Sequence, residues 1–147
     1  MIQIRNNRLV LGGASVSLPE GLYLHDVLND ENGVRFSDKK KLFMIELICV
    51  TNSNDSNKVI LNLVKELKCA CECFMDIEPI TLNGLEGYYT IYRTKDNEFY
   101  KALVRNPTNC LDECLSVVIK VLSTSVDIKE VMNYSSVKSF FCDLRAE

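Results

Sequence analysis

The chain has 147 residues, 47% of them hydrophobic and 25% charged, with a formal net charge of −3 and a sequence pI near 5.3. That is the composition of one compact domain, expected to span residues 1–147, with enough chain to bury a core without a metal or disulfide staple. The acidic balance offers no field for a polyanion, which argues against nucleic acid, and no stretch approaches the ~20 apolar residues of a membrane span.

Met1 to Arg5 lacks the charged-then-apolar layout of a secretory signal, so a cytoplasmic protein is expected. Ile2–Arg5 and Arg8–Leu11 alternate around Asn6-Asn7, the pattern of a small opening hairpin. Gly12-Gly13 reads as a bend. It is not a phosphate-cradling loop, because it lacks a following helix and a lysine at the required spacing. Val16 to Leu22 reads as a strand closed by Pro19 and Gly21, since proline cannot donate to a ladder. Asn29 to Gly33 is a turn cluster, and Lys39-Lys40-Lys41 a solvated loop before a strand. Leu42 to Val50 is nearly continuous apolar sequence, the length of a strand buried on both faces.

Asn52 to Ser56 is rich in helix-capping residues, and Val59, Ile60, Leu63, Val64 and Leu67 recur at helical spacing. Lys58, Asn62, Lys65 and Glu66 fill the other face, so one long helix is expected here. A β-meander follows from Ile77 to Leu122. Asn83-Gly84 supplies the positive φ angles of a two-residue hairpin turn. The strand after it presents Leu85, Gly87, Tyr89 and Ile91 on one face, and Glu86, Tyr88, Thr90 and Tyr92 on the other. Thr94–Asn97 and Asn106–Asn109 make two more turns around a strand from Phe99 to Arg105. Leu115, Val117, Ile119 and Val121 then form the apolar face of a last strand.

Asp127 with Glu130 is a capping-box-like start for a helix bearing Ile128, Val131 and Met132. Asn133 to Ser136 interrupts it, and Val137, Phe140, Phe141 and Leu144 form the apolar face of a final short helix. The fold class is therefore α+β: an antiparallel meander sheet packed with one long helix and short C-terminal helices.

This order of elements resembles the Mog1/PsbP-like fold. The likeness is carried by Val16-Ser17-Leu18-Pro19-Glu20-Gly21, by Ile77 through Tyr88, and by the helical tail from Asp127 to Leu144. Members of that fold include extrinsic photosystem subunits, a binder of a nuclear-transport GTPase and chaperones for secreted toxins. The resemblance thus implies a non-catalytic binding role. It transfers no functional residue, because none of these motifs carries one.

The seven cysteines are an odd number, and without a signal peptide they read as free thiols of a reducing compartment. Cys69, Cys71 and Cys73 point to one side if extended, while Cys69 and Cys73 share a face if helical. With Cys110 and Cys114 they could form a thiol or metal site. Three alternating strand thiols do not converge on one ion, however, so small buried hydrophobes are the default and no metal or cofactor is expected. His25 is the sole histidine, and no spacing selects a thiol partner for it, so a surface position near a strand end is expected. With no nucleophile elbow or His-Glu-x-x-His pattern, catalysis is not expected.

Glu46 lies among Leu42, Met44, Ile48 and Val50. A buried carboxylate there must pair with a cross-sheet cation or face a ligand groove. Tyr88, Tyr92 and Tyr100 lie in the meander, where tyrosine provides contact area with a polar tip suited to a protein partner; covering by helices is the alternative. Tyr88, Tyr92, Tyr100 and Glu46 are thus the candidate binding residues. The leading expectation is a non-enzymatic cytoplasmic binding protein: an adaptor, chaperone or immunity-type partner. A thiol- or metal-dependent protein and a small-ligand carrier stand as alternatives.

Overall fold

Three tight turns with positive φ set the local pairing. They are Asn6-Asn7 (φ 52° and 62°), Gly12-Gly13 (59° and 76°) and Asn83-Gly84 (49° and 90°). Asparagine and glycine tolerate this left-handed region, which two-residue hairpins require. The computed structural model describes residues 2–18, 20–28, 32–51, 65, 73–74, 77–108 and 113–147. The first two turns join β1 (Gln3–Arg5), β2 (Arg8–Leu11) and β3 (Ala14–Val16). Gly12-Gly13 is therefore a hairpin turn and not merely a bend.

The larger sheet contains β4 (Leu22–Leu28), β5 (Gly33–Asp38), β6 (Phe43–Thr51), β7 (Cys73–Phe74), β8 (Glu78–Leu82), β9 (Leu85–Arg93), β10 (Glu98–Arg105) and β11 (Glu113–Val121). Its order is β4-β5-β6-β11-β10-β9-β7, with β8 also paired to β9, and every pairing is antiparallel. Two short helices follow, α1 (Ile128–Met132) and α2 (Ser135–Asp143). The strand β12 (Arg145–Ala146) then pairs with β3 to complete a small four-stranded sheet, β1-β2-β3-β12.

The core lies between one face of the large sheet and a layer made of the small sheet and both helices. Phe36, Phe43, Ile45, Leu47, Leu115, Val117 and Ile119 point inward from the large sheet; Leu11, Ala14, Val16, Ile128, Val131, Val137, Phe140 and Leu144 meet them. The Phe36 and Phe140 ring centroids lie 6.4 Å apart. The apolar face expected in β11 is there, with Leu115, Val117 and Ile119 fully buried, but the alternation in burial is clean only from Val117 onward, since Cys114 and Ser116 on the other face are buried too. Asp127 caps α1, its Oδ1 accepting from the Glu130 backbone N–H at 2.8 Å.

Three polar clamps join distant parts of the chain. Arg8 donates through Nε to Ser15 Oγ (3.0 Å), through Nη1 to Asp143 Oδ1 (2.9 Å), and through Nη2 to the carbonyls of Ser15 (3.0 Å) and Asp143 (2.8 Å). The other carboxylate oxygen of Asp143 accepts from Ser17 N (2.6 Å) and Ser17 Oγ (2.7 Å). Asn83 Nδ2 donates to the carbonyls at the end of α2, and buried Asn106 donates to Gly13 O (2.9 Å) and Glu147 O (3.0 Å).

Several local expectations change. The strand read from Val16 to Leu22 is two strands with a break between, because Ser17 N bonds Asp143 instead of a ladder partner. The strand from Leu42 to Val50 is buried on one face only: Met44, Glu46 and Ile48 are half-buried and Val50 is 40% exposed. As a member of an antiparallel sheet it keeps a distinct second face, which accommodates the charged Glu46. The expected long helix lies outside the described residues except for Lys65, which is helical and exposed. Among the described residues, no helix is long and apolar enough to cross a membrane.

Candidate functional site

The face of the large sheet away from the core is here termed outer. Register assigns its residues. Arg93 pairs with Glu98 across the Thr94–Asn97 turn, so Tyr92 sits opposite Phe99, Tyr88 opposite Leu103, and Glu86 opposite Arg105. On the other side of β9, Tyr88 faces Pro79 and Glu86 faces Thr81. These outer positions line a cleft of about 310 Å³, with Pro79 and Thr81 on the edge strand and Glu86, Tyr88 and Arg105 beside them; Ile80 between the two also borders it, although it packs against the main core. Gly87 forms part of its floor, where a Cβ would run into the Leu103 carbonyl.

Tyr88 and Tyr92 are both half-buried, four residues apart on this face. They pack against a small apolar cluster of Leu103, Cys114 and Ile77, separate from the main core. Tyr92 stacks on Phe99 with centroids 4.8 Å apart and planes 8° from parallel, and Lys120 Nζ lies 6.0 Å from the Phe99 centroid. Among the described residues no buried side-chain nitrogen or oxygen is left without a partner and no hydrogen bond is formed by the Tyr88 hydroxyl, so this hydroxyl opens to solvent.

Tyr100 does not join them. It points inward, is 4% exposed, stacks on Tyr89 at 5.4 Å and meets Phe141 of α2 edge-on at 5.5 Å. Burial pushes its phenol well above the ordinary tyrosine range, with a smaller contribution from Tyr89. It is a core residue, covered by a helix. Glu46 is also apart. Arg35, its register partner, donates Nε to Glu46 Oε2 at 2.7 Å, so the carboxylate is paired across the sheet. Two strands, β11 and β10, separate it from β9, which at ordinary spacing is about 14 Å.

His25 is exposed on β4, next to a register shift between Leu24 and Asp26. Cys69, Cys71 and Cys110 lie outside the described residues, and Cys73 falls in β7. Cys49 and Cys114 are buried free thiols and Cys142 is an exposed one. Burial raises the Cys49 pKa, and the nearby Glu113 charge adds to this, so the thiol stays neutral. Among the described residues, no group of three His, Cys, Asp or Glu side chains is placed to hold a metal.

The sequence pattern placed Glu86 on one face with Tyr88, but Pro79, Thr81 and Arg105 were missed as neighbours. The signal was present in the two turns flanking β9: once their lengths fix the register, alternation brings all three to that face.

No family model matches the chain, and neither does any curated protein. Among solved structures, a point mutant of the protein Mog1 aligns with a TM-score of 0.59 and 11% identity, covering 97% of this chain and 96% of that one. The chain has a Mog1/PsbP-like fold. A protein from Bacteroides thetaiotaomicron aligns at a TM-score of 0.56 and 10% identity over 94% of this chain, which spans only 47% of that protein. At such identities the likeness concerns architecture alone.

Proposed function

We propose that this chain is a non-catalytic cytoplasmic binding protein, an adaptor, chaperone or immunity-type partner, which takes another protein on the outer face of its meander at the Tyr88 cleft. The observation that supports it is the cleft itself. Apolar Pro79 stands opposite a half-buried tyrosine with a free hydroxyl, and Arg105 and Glu86 stand at its side. Tyrosine and arginine dominate the energetics of protein interfaces, because each combines large contact area with a directed polar group. The Mog1/PsbP-like architecture over nearly the whole chain is consistent with such a role.

Affinity capture from native cytoplasm with the full chain as bait tests this. The expected result is one stoichiometric protein partner, lost with Tyr88→Ala. It should be retained with Tyr23→Ala, which alters a 55% exposed tyrosine on the far edge strand β4. Equal capture by the wild type and the correctly folded Tyr88→Ala variant would sink the proposal, as would the absence of any stoichiometric protein.

A further inference from the structure

Two Asn-Gly pairs occur in the described chain, Asn32-Gly33 and Asn83-Gly84. In such pairs the glycine nitrogen, with no side chain beside it, can approach the asparagine amide carbon with little hindrance. The structure treats the two very differently. Asn32 has φ 55° and its backbone carbonyl accepts from Cys49 N at 3.1 Å, but its side-chain amide forms no hydrogen bond among the described residues. The Asn83 amide is engaged through its nitrogen. Its Nδ2 lies 2.7 Å from Leu144 O, 3.1 Å from Cys142 O and 3.3 Å from Phe141 O, and its own backbone carbonyl accepts from Ala146 N at 3.0 Å. One exposed turn thus holds both the last carbonyls of α2 and the strand β12.

We propose that Asn83 is a modification site: a clamp that spontaneous deamidation converts from donor to anion, releasing β12 from the Asn83-Gly84 turn. In the reaction the Gly84 backbone nitrogen loses its proton to solvent base and bonds Asn83 Cγ. The Cγ–Nδ2 bond then breaks and Nδ2 leaves as ammonia. Water opens the resulting succinimide at either carbonyl, giving aspartate or isoaspartate. The new carboxylate has no proton to donate and faces three carbonyl oxygens at the negative end of the α2 dipole. Both effects push residues 144–147 away. While the clamp is closed, the amide is held on those carbonyls and must detach before Cγ can reach Gly84 N. The fold therefore slows the modification that would undo it.

Ageing the full chain at mildly alkaline pH, with peptide mapping of isoaspartate, tests the first half. Asn32 is expected to convert first, with Asn83 about tenfold slower in the native protein than in concentrated urea, the factor imposed by a local opening of about 1.4 kcal/mol. The second half is read from Asn83→Asp, which keeps a residue tolerant of positive φ in the turn. Hydrogen exchange at Ala146 N should accelerate about tenfold in this variant and stay unchanged in Asn32→Asp. Equal Asn83 conversion rates in buffer and urea, or undiminished Ala146 protection in Asn83→Asp, would overturn the proposal.

Discussion

Replacing Asp143 with asparagine should cost the protein substantial stability. The carboxylate accepts three hydrogen bonds, from Arg8 Nη1, Ser17 N and Ser17 Oγ, and ties the first hairpin to the end of α2. The side chains of Arg8 and Asp143 are only 14% and 31% exposed, so the guanidinium left behind is poorly hydrated. A bond to a charged group contributes about 1.5–3 kcal/mol, and the substituted asparagine would retain one acceptor while turning an NH2 group toward existing donors. Allowing for partial exposure and non-additivity, Asp143→Asn should lose about 2–3 kcal/mol, and Ser17→Ala about 1 kcal/mol. At about 3 °C per kcal/mol for a chain of this size, Tm falls by roughly 6–9 °C for the asparagine variant.

Urea unfolding followed by far-UV circular dichroism would measure both variants. Acid titration supplies a second reading. Burial alone would raise the Asp143 pKa, but hydrogen bonds from the Ser17 hydroxyl, Arg8 and the Ser17 backbone, with the Arg8 charge, together hold it below the ordinary carboxylate value. The folded carboxyl therefore binds its proton less readily than the unfolded one. Its stabilisation is complete at neutral pH and is lost as pH falls through the folded pKa. The gap between wild type and Asp143→Asn should accordingly narrow on acidification. A gap below about 0.5 kcal/mol at neutral pH, within the ordinary scatter of surface changes, would refute the reasoning, as would a gap insensitive to acid.

Three further outcomes follow from the geometry. Gly87→Ala should destabilise by about 3 kcal/mol in urea titrations, since its Cβ would meet the Leu103 backbone and part β9 from β10. Tyr100 should stay neutral as pH rises through the ordinary phenol range, and its stabilisation should disappear at still higher pH, because its folded pKa is raised. Ultraviolet titration would show this late component missing in Tyr100→Phe. The Arg35–Glu46 pair, with side chains 32% and 19% exposed, should give a coupling of only about 0.5–1 kcal/mol in a double-mutant cycle.

Much of this fold is written in short-range chemistry. Asn6-Asn7 and Asn83-Gly84 announce their hairpins because few residues accept positive φ, and β11 is legible because every second residue is apolar. The strand β4 escaped notice for a local reason: the register shift between Leu24 and Asp26 breaks its alternation, leaving Tyr23 and Leu24 both about half exposed. The clamps of Arg8, Asn83 and Asn106 were invisible, because a lone polar residue does not disclose a partner far away along the chain. At the candidate site, alternation placed Tyr88 and Tyr92 on one face. The fate of Tyr100 depended on where Phe141 of α2 comes to rest, a tertiary fact that no strand pattern encodes.

The small sheet has a consequence for how the chain is made. Ala14 pairs with Ala146, and Ser15 with Arg145, so an early strand is completed by residues translated much later. Loop closure over such a span is entropically slow. While the ribosome is still at work, the edge of β3 and the apolar Leu11, Ala14 and Val16 have no lasting cover from β12 or α2. Early synthesis therefore yields a hairpin that must wait. The small sheet, and with it the domain, closes only once residues 145–146 have been made.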